Sequence, residues 1–256
     1  MLVTGANGGL GAAIARGFKA RGAKVILSGR RPDALAPLAE ELSARVVVAD
    51  LSKKDDVSKL AEETHDADIA ILNAAVPGSG SVLEYDAQQI DRALDVNLRA
   101  PIHTARSLAV RMVEKKRGHI VFISSISGKV ATQGQAMYNC TKFGLRGFAF
   151  ALREDLRAHG VGVSTVFPGF IRGAGMFAET GVELPAGGGT KTPDDVFRGV
   201  YRAVTKDLAE VDVAAFEQVL GGYIFPLAPS FITWTQKMFG GEAIAQRMSD
   251  AQKHKR

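Results

Sequence analysis

Residues 2–11 read Leu2-Val3-Thr4-Gly5-Ala6-Asn7-Gly8-Gly9-Leu10-Gly11. A brief apolar run is followed by a glycine-rich turn. The turn opens a stretch, residues 9–21, that places Leu10, Ile14, Gly17 and Phe18 on one helical face. This is the order strand, turn, helix. Gly5 permits a tight turn, and Gly9 and Gly11 permit close backbone approach. The helix N-terminus offers free N–H groups and a partial positive charge to phosphate oxygens. In that context the turn, with Asn7 and Leu10 on it, reads as a cradle for a dinucleotide.

Short β-type runs alternate with longer helical patterns along the rest of the chain. Val25-Ile26-Leu27, residues 45–49, 69–72, 120–123, 161–167 and 211–213 read as strands. Pro32 fits the first turn of a helix, and Ser52 is a candidate N-cap for another that runs to about residue 65. Residues 86–115, 137–158 and 193–206 are helical. The alternation predicts an α/β fold, a doubly wound parallel sheet covered on both faces, with ligands at the carboxyl ends of its strands. Residues 1–213 form the expected dinucleotide-binding catalytic unit, and residues 214–256 an apolar helical appendage of the same domain. Residues 170–191 are glycine-rich (Gly173, Gly175, Gly181, Gly187, Gly188, Gly189) and read as a lid over a pocket or a plain surface loop.

The second strand ends in Ser28-Gly29-Arg30-Arg31, where sites for NAD usually place an acid to hold the ribose hydroxyls. A guanidinium here favours a 2′-phosphate. The expected cofactor is therefore NADP(H), with Arg30 as the main contact and Ser28 or Arg31 assisting. Asp50, before Leu51 at the end of the third strand, is a candidate acceptor for the adenine amino group. A turn or cap role is equally open for it.

The chain has 256 residues, a net charge of +5 and one cysteine, Cys140. An internal disulfide is excluded, and a reducing cytoplasmic compartment is expected. The basic residues are scattered, apart from Lys115-Lys116-Arg117 and the tail Lys253-His254-Lys255-Arg256, and neither run is interleaved with aromatics. Nucleic acid is not an expected partner. The five histidines lack metal-ligand spacing, so no metal site is predicted. Cys140 is expected to be a small buried residue.

Tyr138 alone among four tyrosines has a lysine, Lys142, four residues later, on one face of the predicted helix. A phenol is a poor base at neutral pH, and a nearby ammonium lowers its pKa into a range useful for general acid/base work. Ser125 ends the fifth strand, thirteen residues before Tyr138. It is placed to donate to a substrate oxygen as charge develops there.

With these motifs the chain resembles the short-chain dehydrogenase/reductase family over about residues 2–213. The opening matches its Thr-Gly-x-x-x-Gly-x-Gly pattern. Ser125, Tyr138 and Lys142 match its catalytic motif, Asn97 its fourth catalytic member, and Pro168-Gly169 the segment bordering the nicotinamide. The resemblance implies that Tyr138 exchanges a proton with the substrate oxygen and that Lys142 tunes the phenol and holds the nicotinamide ribose. It further implies that Ser125 orients the carbonyl and that Asn97 holds a water linking Lys142 to solvent. The expected substrate is a ketone, aldehyde or secondary alcohol. A homodimer through the helices at 86–115 and 137–158 is implied as well.

The match has gaps. Asn73-Ala74-Ala75-Val76 stands where the family usually has Asn-Asn-Ala-Gly; Asn73 and Ala74 remain candidate cofactor contacts. Gly173 stands where a carboxamide-binding threonine is common. Only three residues precede Thr4, fewer than a mid-sheet strand usually has. Val219 to Phe239 is apolar and aromatic-rich but broken by Gly221, Gly222, Pro226 and Pro229, which argues against a membrane span. A cover over the cleft, a subunit interface and a membrane-surface patch are its open readings. A cover would favour a bulky apolar substrate. The functional alternatives are a non-catalytic NADP(H)-binding or redox-sensing protein, against which the intact Ser125-Tyr138-Lys142 set argues, and a peripheral membrane enzyme.

Overall fold

The computed structural model describes residues 1–182, 189–238 and 241–255. Gly187, Gly188 and Phe239, singled out above, lie outside them. In chain order the elements are β1 (Leu2–Thr4), α1 (Gly9–Lys19), β2 (Ile26–Gly29), α2 (Pro32–Leu42), β3 (Arg45–Val48), α3 (Lys54–Glu63) and β4 (Ile69–Leu72). There follow α4 (Ala87–Leu94), α5 (Ala100–Glu114), β5 (Gly118–Ile123), α6 (Ala136–Arg157), β6 (Val161–Pro168), α7 (Pro193–Thr205) and β7 (Glu210–Val213). Three helices close the chain: α8 (Phe216–Ile224), α9 (Pro229–Met238) and α10 (Gly241–Gln252).

The seven strands form one sheet in the order β3-β2-β1-β4-β5-β6-β7, and every neighbouring pair is parallel. Short as it is, β1 pairs on both sides, Leu2 with Ile26 and Ala70, Val3 with Leu27 and Ile71. Because successive strand side chains face opposite ways, Leu2, Ile26, Ile120 and Phe122 pack under α3, α5 and α6. Val3, Leu27, Val121 and Ile123 pack under α1, α2 and α7. These strands are apolar on both faces, as a doubly covered sheet requires.

Most element ends fall within a residue or two of the sequence reading, and two features differ in kind. The helix predicted over 86–115 begins with a capping box between Asp86 and Gln89, but its middle, Asp95–Arg99, widens into a π-turn before α5 resumes. Ser52 is not a cap. Lys53 occupies the N-cap of α3 with no side-chain bond, and the Ser52 hydroxyl donates instead to Asp50 Oδ1 at 2.8 Å.

The packing of α1 on α7 is close. Phe18 meets Phe197 edge-on at 5.6 Å, and a methyl group added at Gly17 would strike the Phe197 ring. Gly17→Ala is therefore expected to lower unfolding free energy by about 1–3 kcal/mol, read as a reduced urea midpoint; an unchanged midpoint would contradict the contact.

Candidate active site

A cleft of about 1500 Å³ opens at the carboxyl ends of the strands, where the strand order reverses between β1 and β4. Hydrogen bonds join the two strand ends. Thr4 Oγ1 accepts from the amides of Asn73 and Ala74 at 3.0 and 3.1 Å. Asn73 Nδ2 donates to the Thr4 carbonyl at 2.9 Å and to the Gly5 carbonyl at 3.3 Å. Asn73 is thus spent on holding the glycine turn against β4.

Three of the turn's glycines, Gly5, Gly9 and Gly11, leave no room for a side chain. Gly5 has φ +63° and a Cβ there would lie 2.8 Å from Ala74 Cα. At Gly11 it would meet Gly5 O and Ala6 Cα, and at Gly9 it would meet Ala174 of the 170–182 segment. Helix α1 starts at Gly8 without a side-chain cap and without an acid in its first turn. Its first N–H groups therefore lack intrahelical partners and face the cleft that Gly8, Gly9 and Leu10 line. This cradle suits the pyrophosphate of a dinucleotide.

At the far end Ser28, Arg30 and Arg31 line the cleft, with Ala49 and Leu51 opposite. Arg30 and Arg31 are exposed and Ser28 is buried. Asp50 departs from the reading as an adenine acceptor. Its Oδ1 already accepts from the Ser52 amide at 3.0 Å and from the Ser52 hydroxyl, and it is not among the cleft-lining residues. Burial acts to raise its pKa, but the Ser52 bonds and the charges of Arg30 and Lys53 outweigh this and hold it below the ordinary value. A short acid after a strand closes its own turn more readily than it reaches outward.

Ser125, Tyr138 and Lys142 converge on one wall of the cleft. Ser125 caps a single 3₁₀ turn, accepting from the Ser127 amide at 3.2 Å, and its hydroxyl exerts a downward pull on the pKa of the Tyr138 phenol. The Lys142 ammonium is buried, donates to the Ile123 carbonyl at 2.9 Å and lies 5.4 Å from the centre of the Tyr138 ring. Burial lowers it to about 8. The phenol does not follow the expectation of a lowered pKa. Burial pushes it up to about 12, against a smaller downward pull from Ser125. The phenol is thus neutral across the physiological range, suited to give a proton rather than to take one.

Asn97 sits in the π-turn and is fully enclosed. Its Oδ1 accepts from the Val76 amide at 2.8 Å and its Nδ2 donates to the Val76 carbonyl at 2.9 Å. Its amide side chain clamps the loop after β4 and does not bond to Lys142. Pro168 and Gly169 line the cleft. The Gly169 amide donates to the Val213 carbonyl at 3.0 Å, and a side chain at 169 would strike Gln218 of α8.

Several supporting residues escaped the sequence reading. A Cβ at Gly78 would lie 2.7 Å from the Tyr138 amide, so the β4 loop rests directly on the start of α6. Its setting, Pro77-Gly78-Ser79-Gly80, was a turn signal that went unused. Asn139 bonds the carbonyls of Ser127 and Val130 at 2.8 and 2.9 Å and so staples the serine turn to α6. Lys129 is buried and pairs with Asp212 at 2.7 Å and Glu210 at 3.1 Å. Tyr223 of α8 donates to the same Asp212 at 3.2 Å. Cys140, expected to be buried, is an exposed free thiol, because Tyr138 and Lys142 take the cleft face of α6. Of the C-terminal segment, Gly221, Phe225, Ile232, Ala245 and Met248 line the cleft, whereas Leu227, Phe231 and Trp234 are exposed.

Comparison with known proteins agrees with this arrangement. The family model described as short chain dehydrogenase matches residues 1–183. Dehydrogenase/reductase SDR family member 7B of Xenopus tropicalis is 31% identical, with 90% of this chain and 82% of that one covered. A short-chain dehydrogenase from Sphingobium yanoikuyae in complex with NADPH superposes with a TM-score of 0.77 at 26% identity, over 89% of this chain and 94% of the other. The bulky-bulky ketone specific alcohol dehydrogenase of Comamonas testosteroni gives 0.73 at 26% identity, over 82% and 84%. The glycine cradle at the strand-order reversal and the match of over two thirds of the sequence lead to one assignment: the chain belongs to the short-chain dehydrogenase/reductase family of oxidoreductases.

Proposed function

We propose that the protein is an NADP(H)-dependent oxidoreductase that interconverts a ketone or aldehyde and its alcohol, with Tyr138 as the general acid/base. The observation that carries this reading is the placing of Ser125, Tyr138 and Lys142 on one wall of a cleft whose other end holds the glycine turn and Arg30. NADPH, when bound, would supply the hydride. The neutral Tyr138 phenol donates its proton to the substrate oxygen as negative charge grows there, and Ser125 holds that oxygen by a hydrogen bond. The buried Lys142 charge stabilises the phenolate left behind and would hold the nicotinamide ribose. Gly5, Asn7, Gly9, Leu10 and Gly11 would cradle the pyrophosphate, Arg30 the 2′-phosphate with Ser28 and Arg31, and Leu51 and Ala74 the adenosine side. Pro168 and Gly169 would border the nicotinamide. NADPH as the cofactor favours the reductive direction in a cell.

The likeness to the ketone-specific alcohol dehydrogenase supports a ketone with bulk on both sides. Exposed Val110 on α5 and Phe150 on α6 are apolar points on the faces through which two copies would pair. The exposed thiol of Cys140 fits the reducing cytoplasm.

Tyr138→Phe tests the chemistry. It should cut turnover about 10²–10⁴-fold while leaving the NADPH dissociation constant nearly unchanged in a fluorescence titration; retained turnover would sink the mechanism. Arg30→Ala should cost about 1.5–3 kcal/mol of NADPH affinity and little NADH affinity, and an unaltered NADPH/NADH ratio in paired titrations would remove Arg30 from the site. The pH profile separates the two ionisations. Since the phenol stays protonated to about 12 and the ammonium is lost above about 8, kcat/KM for reduction should fall as pH rises through the Lys142 value. Lys142→Arg should move that descending limb beyond the accessible range, whereas a limb at the same pH in the variant would assign it to another group.

A further inference from the structure

Gln252, in the last turn of α10, is enclosed despite its polar amide (4% exposed). A buried amide is tolerated where both ends are bonded, and both are. Its Oε1 accepts from the Ser79 hydroxyl at 2.7 Å, and its Nε2 donates to the Met176 carbonyl at 2.9 Å. Ser79 is itself buried and belongs to the β4 loop that lies on Tyr138. That loop is pinned further by Tyr85, whose hydroxyl donates to the Ser79 carbonyl at 3.1 Å, and by the Gly80 amide on the Gly134 carbonyl at 2.6 Å. Met176 belongs to the segment whose Ala174 and Gly175 pack on Gly9 and Leu10 of the glycine turn. One side chain thus joins the catalytic side of the cleft, the cover of the cofactor cradle and the C-terminal helix.

The wall that this junction holds in place is apolar. Ala245, Met248, Ile232, Phe225 and Phe177 line the cleft there, and Phe177 packs on Phe170 with the ring centres 4.6 Å apart and the rings tilted. Building on the oxidoreductase reading above, we propose that Gln252 is a positioning residue for substrate specificity. By bonding Ser79 and Met176 together it fixes α10 as the far wall of the substrate pocket, and that wall selects carbonyl compounds with a bulky apolar body over small ones. The signal was invisible in the chain, since 173 residues separate Ser79 from Gln252.

The test compares wild type, Gln252→Leu, Ser79→Ala and the double variant. With NADPH saturating, kcat and KM are measured for a small aliphatic ketone and for a ketone carrying an aromatic or branched group on each side. Hydrogen exchange of residues 174–178 is followed in the same samples. The expected result is a drop of about tenfold in the bulky-to-small ratio of kcat/KM, carried mainly by KM for the bulky ketone. The two single variants should be non-additive, and exchange at 174–178 should be faster. An equal loss on both ketones, or an unchanged ratio, overturns the proposal. If the wild type binds NADPH but turns over neither ketone, the oxidoreductase reading fails on its own. The junction is then judged by exchange alone: unaltered exchange at 174–178 in Gln252→Leu overturns it, and faster exchange upholds its structural half.

Discussion

The seam between β1 and β4 is the constraint on which the site depends. Only two residues of β1 pair with β4, Leu2 with Ala70 and Val3 with Ile71. Two peptide bonds' worth of ladder is a weak tie for a strand end that must stay fixed to within a fraction of an ångström. The tie is completed by side chains: the Thr4 hydroxyl takes two amides from the β4 end, and the Asn73 amide returns two bonds to the carbonyls of Thr4 and Gly5. This exchange sets the direction of the glycine turn, and the turn sets where the N–H groups of α1 point. It also explains how Ala74 and Val76 are tolerated where the family usually carries an amide and a glycine. Thr4 and Asn73 close the seam between them, and Asn97 holds the Val76 backbone.

From the seam the site is built outward through loops braced by buried polar side chains. Asn139 ties the serine turn to α6. Gln218 of α8 accepts from the Phe170 amide and donates to the Gly189 carbonyl, drawing together the two ends of the segment that covers the cradle. Lys129 carries its charge into the protein behind Ser125, between Asp212 and Glu210, with Arg146 completing the neutralisation of Glu210 at 2.6 Å. Lys129 is the fully buried member, and removing it would take away the cation that Asp212 pairs with, at a cost of up to about 3–5 kcal/mol. Each brace fixes a loop to an element rather than a loop to a loop, so the acid/base groups inherit the rigidity of the sheet.

Features that are local in sequence were legible before the fold was known. The glycine turn, the spacing of Tyr138 and Lys142 and the serine at the end of β5 each lie within one element or one turn, where periodicity and steric limits are decisive. The doubly wound sheet followed from strand-helix alternation. What was misread depends on surroundings supplied from afar. Asp50 takes the turn role that was left open for it, accepting from Ser52, and Ser52 therefore does not cap α3. The phenol of Tyr138 was expected to be lowered by Lys142, but burial raises it, and the loop after β4 that rests on Tyr138 at Gly78 arrives from outside its own helix. Cys140 was placed by composition rather than by the face of α6 on which it lies. Lys129, which nothing local in the sequence singles out, is buried because its partners arrive on β7, 81 and 83 positions later.

The distance along the chain between Ser79 and Gln252 also bears on how the molecule is made. The glycine turn, the serine turn and α6 are all synthesised before the last helix. At about 5–20 residues per second the gap of 173 positions corresponds to roughly 9–35 seconds. The sheet is complete once Val213 is made, so for the last 39 of those positions the catalytic wall can stand while Phe170, Phe177 and Val130 still lack the C-terminal helices that line the same cleft. A nascent chain in this state exposes a greasy trough at the edge of an otherwise finished sheet. The residues after β7 therefore decide how long that trough stays open.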